Sequence, residues 1–339
     1  LLTDAFISLS KDLKFGKLNP GTLASDSIQL SLLRLVLHGE SVVKILEAQE
    51  PDFAGYKSLR KAIKLCLDSV SRVHDSTISI GQEDSIHLYN RIKRIAINLE
   101  RWRWETKTND DRYILVNIPA YMMYVIRQDS DVFSSRVIVG KSDKPTPVLS
   151  SIIKSLVIYP YWTVPRKIAI EEFLPSIQND LLFLRRNNFD VLNRSGEILD
   201  VDSVPWSTFN KNYFPVVLRQ REGVENSLGI IKFDFENPFA VYLHDTNARG
   251  LFNTPKRDYS HGCVRVEKAV ELAHFLITQE THKQSHALNF VLQKQQKYRL
   301  VLPHPIKISI RYFTCEFIDG KLQEYPDIYH QDDMLMQYF

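Results

Sequence analysis

Cys263 and His244 are the two residues whose types suit nucleophilic chemistry. They lie in the segments Tyr242-Leu243-His244-Asp245-Thr246 and Ser260-His261-Gly262-Cys263-Val264-Arg265-Val266. A thiol attacks carbonyl groups as thiolate, and a free pKa of ~8.5 leaves little thiolate at neutral pH. An imidazole within hydrogen-bond reach takes the proton. Val266, Val270, Ala273 and Ile277 share one helical face, which predicts a helix over 266–278. Cys263 would then just precede that helix, whose positive end favours the anion. Backbone N–H groups around Gly262 and Cys263 are expected to stabilise an oxyanion. Gly262 gives the backbone the freedom to aim them.

Each of these residues also has a plainer reading. A lone cysteine is usually a small buried hydrophobe. His244 at a strand end suits a structural histidine, and the His261 side chain can point away from the thiol two residues on. A His244, His261 and Cys263 metal site is the chemical alternative. No second cysteine or acidic ligand stands at a familiar spacing to support it.

Composition narrows the class. The chain has 339 residues, 44% hydrophobic and 24% charged, enough for a large core and two or three domains. A net charge of +3 is too small to argue for nucleic acid. No stretch approaches the roughly 18 apolar residues of a membrane helix. Leu1-Leu2-Thr3-Asp4 shows no signal-peptide pattern, so export would require that a signal or anchor had been removed. The three cysteines, Cys66, Cys263 and Cys315, form no CxxC. An odd count leaves one thiol unpaired in an oxidising compartment, and any pairing of Cys66 with Cys315 is open. No GxGxxG, Walker A or GxSxG sequence occurs, so nucleotide-binding and serine-hydrolase readings lose their support.

The positioning elements divide into two types. Residues 1 to about 105 read as helical. Leu88, Ile92, Ile95, Leu99 and Trp102 make one helix face, Leu30 to Leu46 is apolar with Gly39 as a break, and Pro20-Gly21 and Glu50-Pro51-Asp52 mark turns. The pattern changes near Asn109-Asp110-Asp111. Short apolar runs follow at Tyr113–Ile118, Tyr121–Ile126, Val137–Val139 and Leu156–Tyr159, with further strands around Leu228–Phe233 and Ala240–Leu243. Residues 166–212 interrupt this with short helices and read as an insertion, a lid over the site. Ile306 to Tyr329 reads as one or two strands. The fold class is therefore α+β, a helical scaffold at 1–108 and a β-rich domain at 109–339 with a capping subdomain at about 166–212.

The chain resembles the YkuD-type L,D-transpeptidases, whose signature is a His, about 15 residues, then Ser/Thr-His-Gly-Cys. Here 15 residues, Asp245 to Tyr259, separate His244 from Ser260. Asn98-Leu99-Glu100-Arg101-Trp102-Arg103-Trp104, Val116-Asn117-Ile118-Pro119-Ala120-Tyr121, Val139-Gly140-Lys141, Thr146-Pro147 and Pro160-Tyr161-Trp162-Thr163-Val164-Pro165 look like the large, YcbB-like Gram-negative subgroup. Leu2-Thr3-Asp4-Ala5-Phe6 resembles that subgroup's scaffold. Only 23 residues, Cys66 to Leu88, separate Leu65 from Tyr89, so the subgroup's inserted peptidoglycan-binding module is expected to be absent.

The resemblance implies acyl transfer from a peptidoglycan stem tetrapeptide, through a thioester on Cys263, to the amine of an acceptor stem. His244 would be the base, its tautomer held by the Asp245 carbonyl. Ser260, His261, Gly262 and Asp245 would shape the site; Tyr242, Arg265 and Trp162 would bind substrate, with Arg265 on a donor carboxylate. It implies no cofactor and no metal, carbapenems as inhibitors, no nucleic-acid partner, no membrane insertion, a periplasmic location and a part in cell-wall biogenesis and cell shape. The rivals are an L,D-carboxypeptidase or endopeptidase on the same site, and a non-catalytic wall scaffold.

Overall fold

The computed structural model describes residues 1–18, 26–75, 82–105, 112–278 and 282–339. The Pro20-Gly21 turn and the pattern change at Asn109-Asp110-Asp111 lie outside these residues.

Among the described residues five helices come first: α1 (Leu2–Phe15), α2 (Asp26–Leu37), α3 (Val42–Glu47), α4 (Ala54–Asp75) and α5 (Gln82–Arg103). Gly39 falls in the break between α2 and α3, and Pro51 precedes α4, as the sequence suggests. On α5 the predicted face is the buried one. Ile95, Leu99 and Trp102 pack with Tyr56 and Leu59 of α4 against Leu115, Ile126 and Phe313 of the β-rich part. Trp102 stacks on Phe313 with ring centroids 4.4 Å apart.

The sheet is built from β1 (Arg112–Asn117), β2 (Met122–Arg127), β3 (Ser130–Gly140) and β4 (Leu149–Ile158), then from strands that follow an insertion. In the insertion, β5 (Trp162–Thr163), α6 (Arg166–Ile168), a π-helical turn (Ala169–Phe173), α7 (Leu174–Asn179), α8 (Leu182–Arg186), β6 (Phe189–Leu192) and β7 (Val217–Gln220) surround a core of their own. β8 (Ile231–Phe235), β9 (Leu243–His244), β10 (Asp258–Ser260) and β11 (Val264–Val266) return to the main sheet. Then come α9 (Ala269–Thr278), α10 (His282–Lys294), β12 (Tyr298–Arg311), β13 (Cys315–Ile318), β14 (Lys321–Glu324) and α11 (Gln331–Met336).

The strand order is β10-β3-β11-β9-β8-β4-β12-β1-β2, and a further pairing of β3 with β2 closes the sheet on itself. Inside lie Ile114, Val116, Met123, Val125, Val137, Leu156, Phe233, Leu243 and Val264, with α9 packed against them. β1 is covered on both faces. Ile114 and Val116 point into this core, while Tyr113 and Leu115 meet the scaffold helices. That double burial is why Tyr113 to Val116 is an unbroken apolar run and not an alternation.

Two expectations need correcting. Strand β12 starts at Tyr298, eight residues before the predicted stretch. Pro303 and Pro305 hid it, and the structure accommodates them at a register shift between Val301 and Ile306, where a missing N–H is tolerated. The predicted helix at 266–278 starts only at Ala269, because Val264–Val266 pairs with β3 and β9 as a strand.

Charged contacts tie the scaffold to the C-terminus. Arg101 of α5 pairs with buried Asp332 at 2.6 Å, and Asp332 also accepts the Thr314 hydroxyl at 2.6 Å. Asn98 bonds Thr314 through both ends of its amide, at 2.8 and 2.9 Å. Stranding one partner of such a buried ion pair costs about 3–5 kcal/mol, so the contact holds the two units in register.

Candidate active site

β9 and β11 are parallel neighbours, with Leu243 opposite Val264 and His244 opposite Arg265. Side chains alternate along a strand. Leu243 and Val264 therefore point into the core, both fully buried. Their neighbours Tyr242, His244, Cys263 and Arg265 share the other face. On the far side of β9, Lys232 of β8 stands opposite His244. The site is thus a patch of three adjacent strands.

The imidazole of His244 is buried, and its Nδ1 lies 2.5 Å from the Asp245 carbonyl oxygen. A carbonyl only accepts, so Nδ1 carries the proton and Nε2 is left with a lone pair. Burial, with the Arg265 and Lys232 charges, holds the imidazole down at about 3. Asp245 is itself fixed. Its carboxylate accepts from Ile230 N at 3.0 Å and from Arg249 at 2.6 Å. Gly229 presses on it so closely that a Cβ there would sit 2.3 Å from a carboxylate oxygen, at a φ of +59°. Burial pushes the Asp245 carboxyl up despite these partners.

Burial also pushes the half-buried Cys263 thiol up. Hydrogen bonds to the sulfur from Tyr242, then the charges of Lys232 and Arg265, oppose it. The expected help from a helix end is not available, because β11 separates Cys263 from α9. Thiol and imidazole are both driven to their neutral forms. Both shifts favour a neutral resting pair over a preformed thiolate–imidazolium pair. Alkylation of Cys263 by iodoacetamide is therefore expected to keep accelerating beyond pH 9, followed by peptide mapping. A rate that levels off by pH 7 would contradict this.

The loop before Cys263 is held by its own side chains. The Ser260 hydroxyl accepts the Gly262 N–H at 3.1 Å and donates to the Cys263 carbonyl at 2.5 Å. Gly262 sits at a φ of +108°, which explains the glycine. The Gly262 N–H is thus already engaged by the Ser260 hydroxyl. The Val264 N–H is taken by the Tyr242 carbonyl at 3.1 Å.

Tyr242 links the site to the insertion. Its hydroxyl is hydrogen-bonded to Cys263 and to the Trp162 side chain, and burial pushes it far up. Trp162 packs edge-on to Phe173 at 5.9 Å. Lys232 Nζ lies 4.2 Å from the centre of the Tyr242 ring and 2.8 Å from Asp234. His261 does not join His244 and Cys263. Its Nε2 meets Glu172 of the insertion at 2.5 Å, and Glu172 also pairs with Lys144 at 3.0 Å. Among the described residues, no group of three or more His, Cys, Asp or Glu side chains could hold a metal ion. Cys66 and Cys315 are free thiols remote in the sequence from this loop, Cys315 buried in the core between scaffold and sheet and Cys66 half-buried against it.

Sequence reasoning missed Lys232, Glu172, Lys144 and Thr146. The alternation Ile231-Lys232-Phe233-Asp234-Phe235 does place Lys232 and Asp234 on one strand face. Thr146-Pro147 is one of the segments that carry the family resemblance, but its residue types do not signal a role in the site.

Three comparisons bear on this geometry. The model of the YkuD family, described as the L,D-transpeptidase catalytic domain, matches residues 111–282. A second family model, the scaffold domain, matches residues 1–63. A Haemophilus influenzae protein provisionally named an L,D-transpeptidase is 34% identical over 247 residues, 72% of this chain and 49% of its own length. The chain thus spans about half of that relative. Among solved structures, L,D-transpeptidase 3 from Mycobacterium tuberculosis aligns with 60% of this chain and 63% of its own, at 11% identity and a TM-score of 0.29. The catalytic domain of an E. faecium L,D-transpeptidase acylated by ertapenem aligns with 50% of this chain and 93% of its own, at 13% identity and a TM-score of 0.26. By the match of its family models, the chain belongs to the YkuD L,D-transpeptidase catalytic-domain family, with an N-terminal scaffold domain.

Proposed function

We propose that this chain is a cysteine-dependent L,D-transpeptidase that cross-links peptidoglycan stem peptides by acyl transfer. The observation that carries the reading is the sharing of one sheet face by Tyr242, His244, Cys263 and Arg265. Cys263 Sγ attacks the donor carbonyl while its proton passes to His244 Nε2. The sulfur–carbon bond forms and the carbonyl becomes an oxyanion. Collapse expels the terminal D-residue, whose amine takes the proton from His244. The acceptor amine then attacks the thioester and loses its proton to His244. An amide forms and the thiol is restored.

Concerted transfer suits a neutral thiol and a neutral imidazole, because neither charged form has to persist at rest. Arg265 is half-buried, and burial holds its guanidinium below the ordinary range. A donor carboxylate is the natural partner for such a group. Tyr242 and Trp162 line the path of the stem. Ser260, His261, Gly262 and Asp245 hold the geometry. No cofactor enters the reaction.

In this reading residues 1–108 are the scaffold and 109–339 the catalytic domain, with a capping subdomain at about 166–212 that acts as a lid. No helix among the described residues is long and apolar enough to cross a membrane. The proposed site of action is the periplasm, in cell-wall biogenesis and the maintenance of cell shape. Carbapenems are proposed inhibitors, acylating Cys263 once per chain.

The test is mass spectrometry of products from purified tetrapeptide muropeptides. Cross-linked dimers of donor tripeptide and acceptor are expected. Tripeptide alone would make the chain a hydrolase, and unchanged substrate from folded protein would favour a wall scaffold.

A further inference from the structure

Thr146 lies outside the motif that carries the nucleophile, on the turn after β3. It is buried, with 1% of its surface exposed. Its hydroxyl accepts the Gly140 N–H at 2.8 Å and lies 2.9 Å from the Gly262 carbonyl. A hydroxyl has one proton, and the carbonyl can only accept. The Thr146 proton is therefore committed to Gly262 O. The turn that delivers it is tight. A Cβ on Gly140 would lie 2.2 Å from the Lys144 carbonyl oxygen and 2.7 Å from Thr146 N. The hydroxyl of Tyr329 braces the same turn, accepting Thr146 N–H at 3.1 Å and donating to Gly140 O at 2.6 Å. Tyr329 is in turn held from the C-terminal segment, since its N–H reaches the Tyr312 hydroxyl at 2.8 Å.

The Gly262 carbonyl belongs to the peptide bond whose other end is the Cys263 N–H. A trans peptide is planar, and its C=O and N–H point in opposite directions. Fixing the carbonyl on Thr146 therefore fixes the direction of the N–H. The Gly262 and Val264 N–H groups on either side are engaged by Ser260 and Tyr242. Of these three, only the Cys263 N–H has no acceptor among the described residues.

We propose that Thr146, braced by Tyr329, is a positioning residue that aims the Cys263 N–H at the oxyanion formed when Cys263 attacks a carbonyl. The inference rests on the acyl-transfer reading and extends it to a residue of a different loop. It makes a chemical distinction. Acylation passes through an oxyanion and needs the donor, whereas alkylation by iodoacetamide displaces iodide at carbon and forms no oxyanion. Loss of one oxyanion donor costs roughly 10²–10³-fold in acylation.

The experiment measures both rates at Cys263 in full-length wild type, Thr146→Val and Thr146→Ser, by intact-protein mass spectrometry with a carbapenem and with iodoacetamide. Thr146→Val is expected to acylate at least ~10-fold more slowly, since the backbone is loosened and not removed. Its alkylation rate should stay within about twofold of wild type, and Thr146→Ser should restore acylation. Should Thr146→Val not fold, Tyr329→Phe is read the same way, with acylation slowed selectively. Equal slowing of both reactions would make Thr146 merely structural and overturn the proposal, as would wild-type acylation by the valine variant. Wild-type protein that is alkylated but never acylated would instead contradict the acyl-transfer reading itself.

Discussion

Cys263→Ala is expected to abolish turnover and leave the fold intact. The side chain is half-buried at the edge of the core, and the substitution removes one sulfur without adding bulk. No other thiol lies in the loop shaped by Ser260 and Gly262. The Cys66→Ala and Cys315→Ala variants are the controls. Cys315 is buried in the core between scaffold and sheet, Cys66 packs half-buried against it, and burial pushes both thiols up, Cys315 far up. Neither stands in the Ser260–Cys263 loop beside His244, so both variants should keep activity, with Cys315→Ala losing some stability from its cavity. Product formation from muropeptides and thermal unfolding by circular dichroism are the measurements. Activity in folded Cys263→Ala would remove the nucleophile from the account.

His244→Ala is expected to slow acylation by at least the ~10²-fold typical of a lost general base. The loss should appear in the rate of the chemical step, because the Nδ1 bond to Asp245 leaves Nε2 to take the thiol proton. His261→Ala should be mild, since that ring faces Glu172. Severe loss in His261→Ala with a mild effect in His244→Ala would reverse the assignment. The pH dependence follows from burial. With its imidazole at about 3 when folded against 6.5 ordinarily, His244 stays neutral well below neutral pH. The unfolded chain binds that proton below about 6.5, while the folded chain binds it only below about 3. Stability is therefore lost as the pH falls through that window, at up to about 1.4 kcal/mol per unit. His244→Ala removes this dependence.

Much of the site is readable in sequence because its residues are close along the chain. His244 and Asp245 are neighbours, so the carbonyl that orients the imidazole is locally encoded. The Ser260-to-Cys263 loop closes on itself through one hydroxyl. What escaped depends on long-range pairing. Lys232 enters the site only because β8 lies antiparallel to β9, and Thr146 only because the turn after β3 folds back onto Gly262. Glu172 reaches His261 across 89 positions of sequence. In the scaffold, one apolar stripe on α5 sufficed to mark the buried face. In the sheet, the prolines of β12 and the three-residue length of β11 masked strands that exist because their neighbours complete them. The misplaced start of α9 had a chemical consequence, since it suggested a helix-end activation of the thiol that the fold does not provide.

The most direct test of the account is rapid-quench intact-protein mass spectrometry with a tetrapeptide muropeptide donor. The predicted result is a covalent species heavier than the protein by the donor less its terminal D-residue and one water. Peptide mapping should place it on Cys263. It should build up before any product and decay faster as acceptor stem is added. Cross-linked product without that species, or an adduct on any other residue, would contradict a thioester at Cys263.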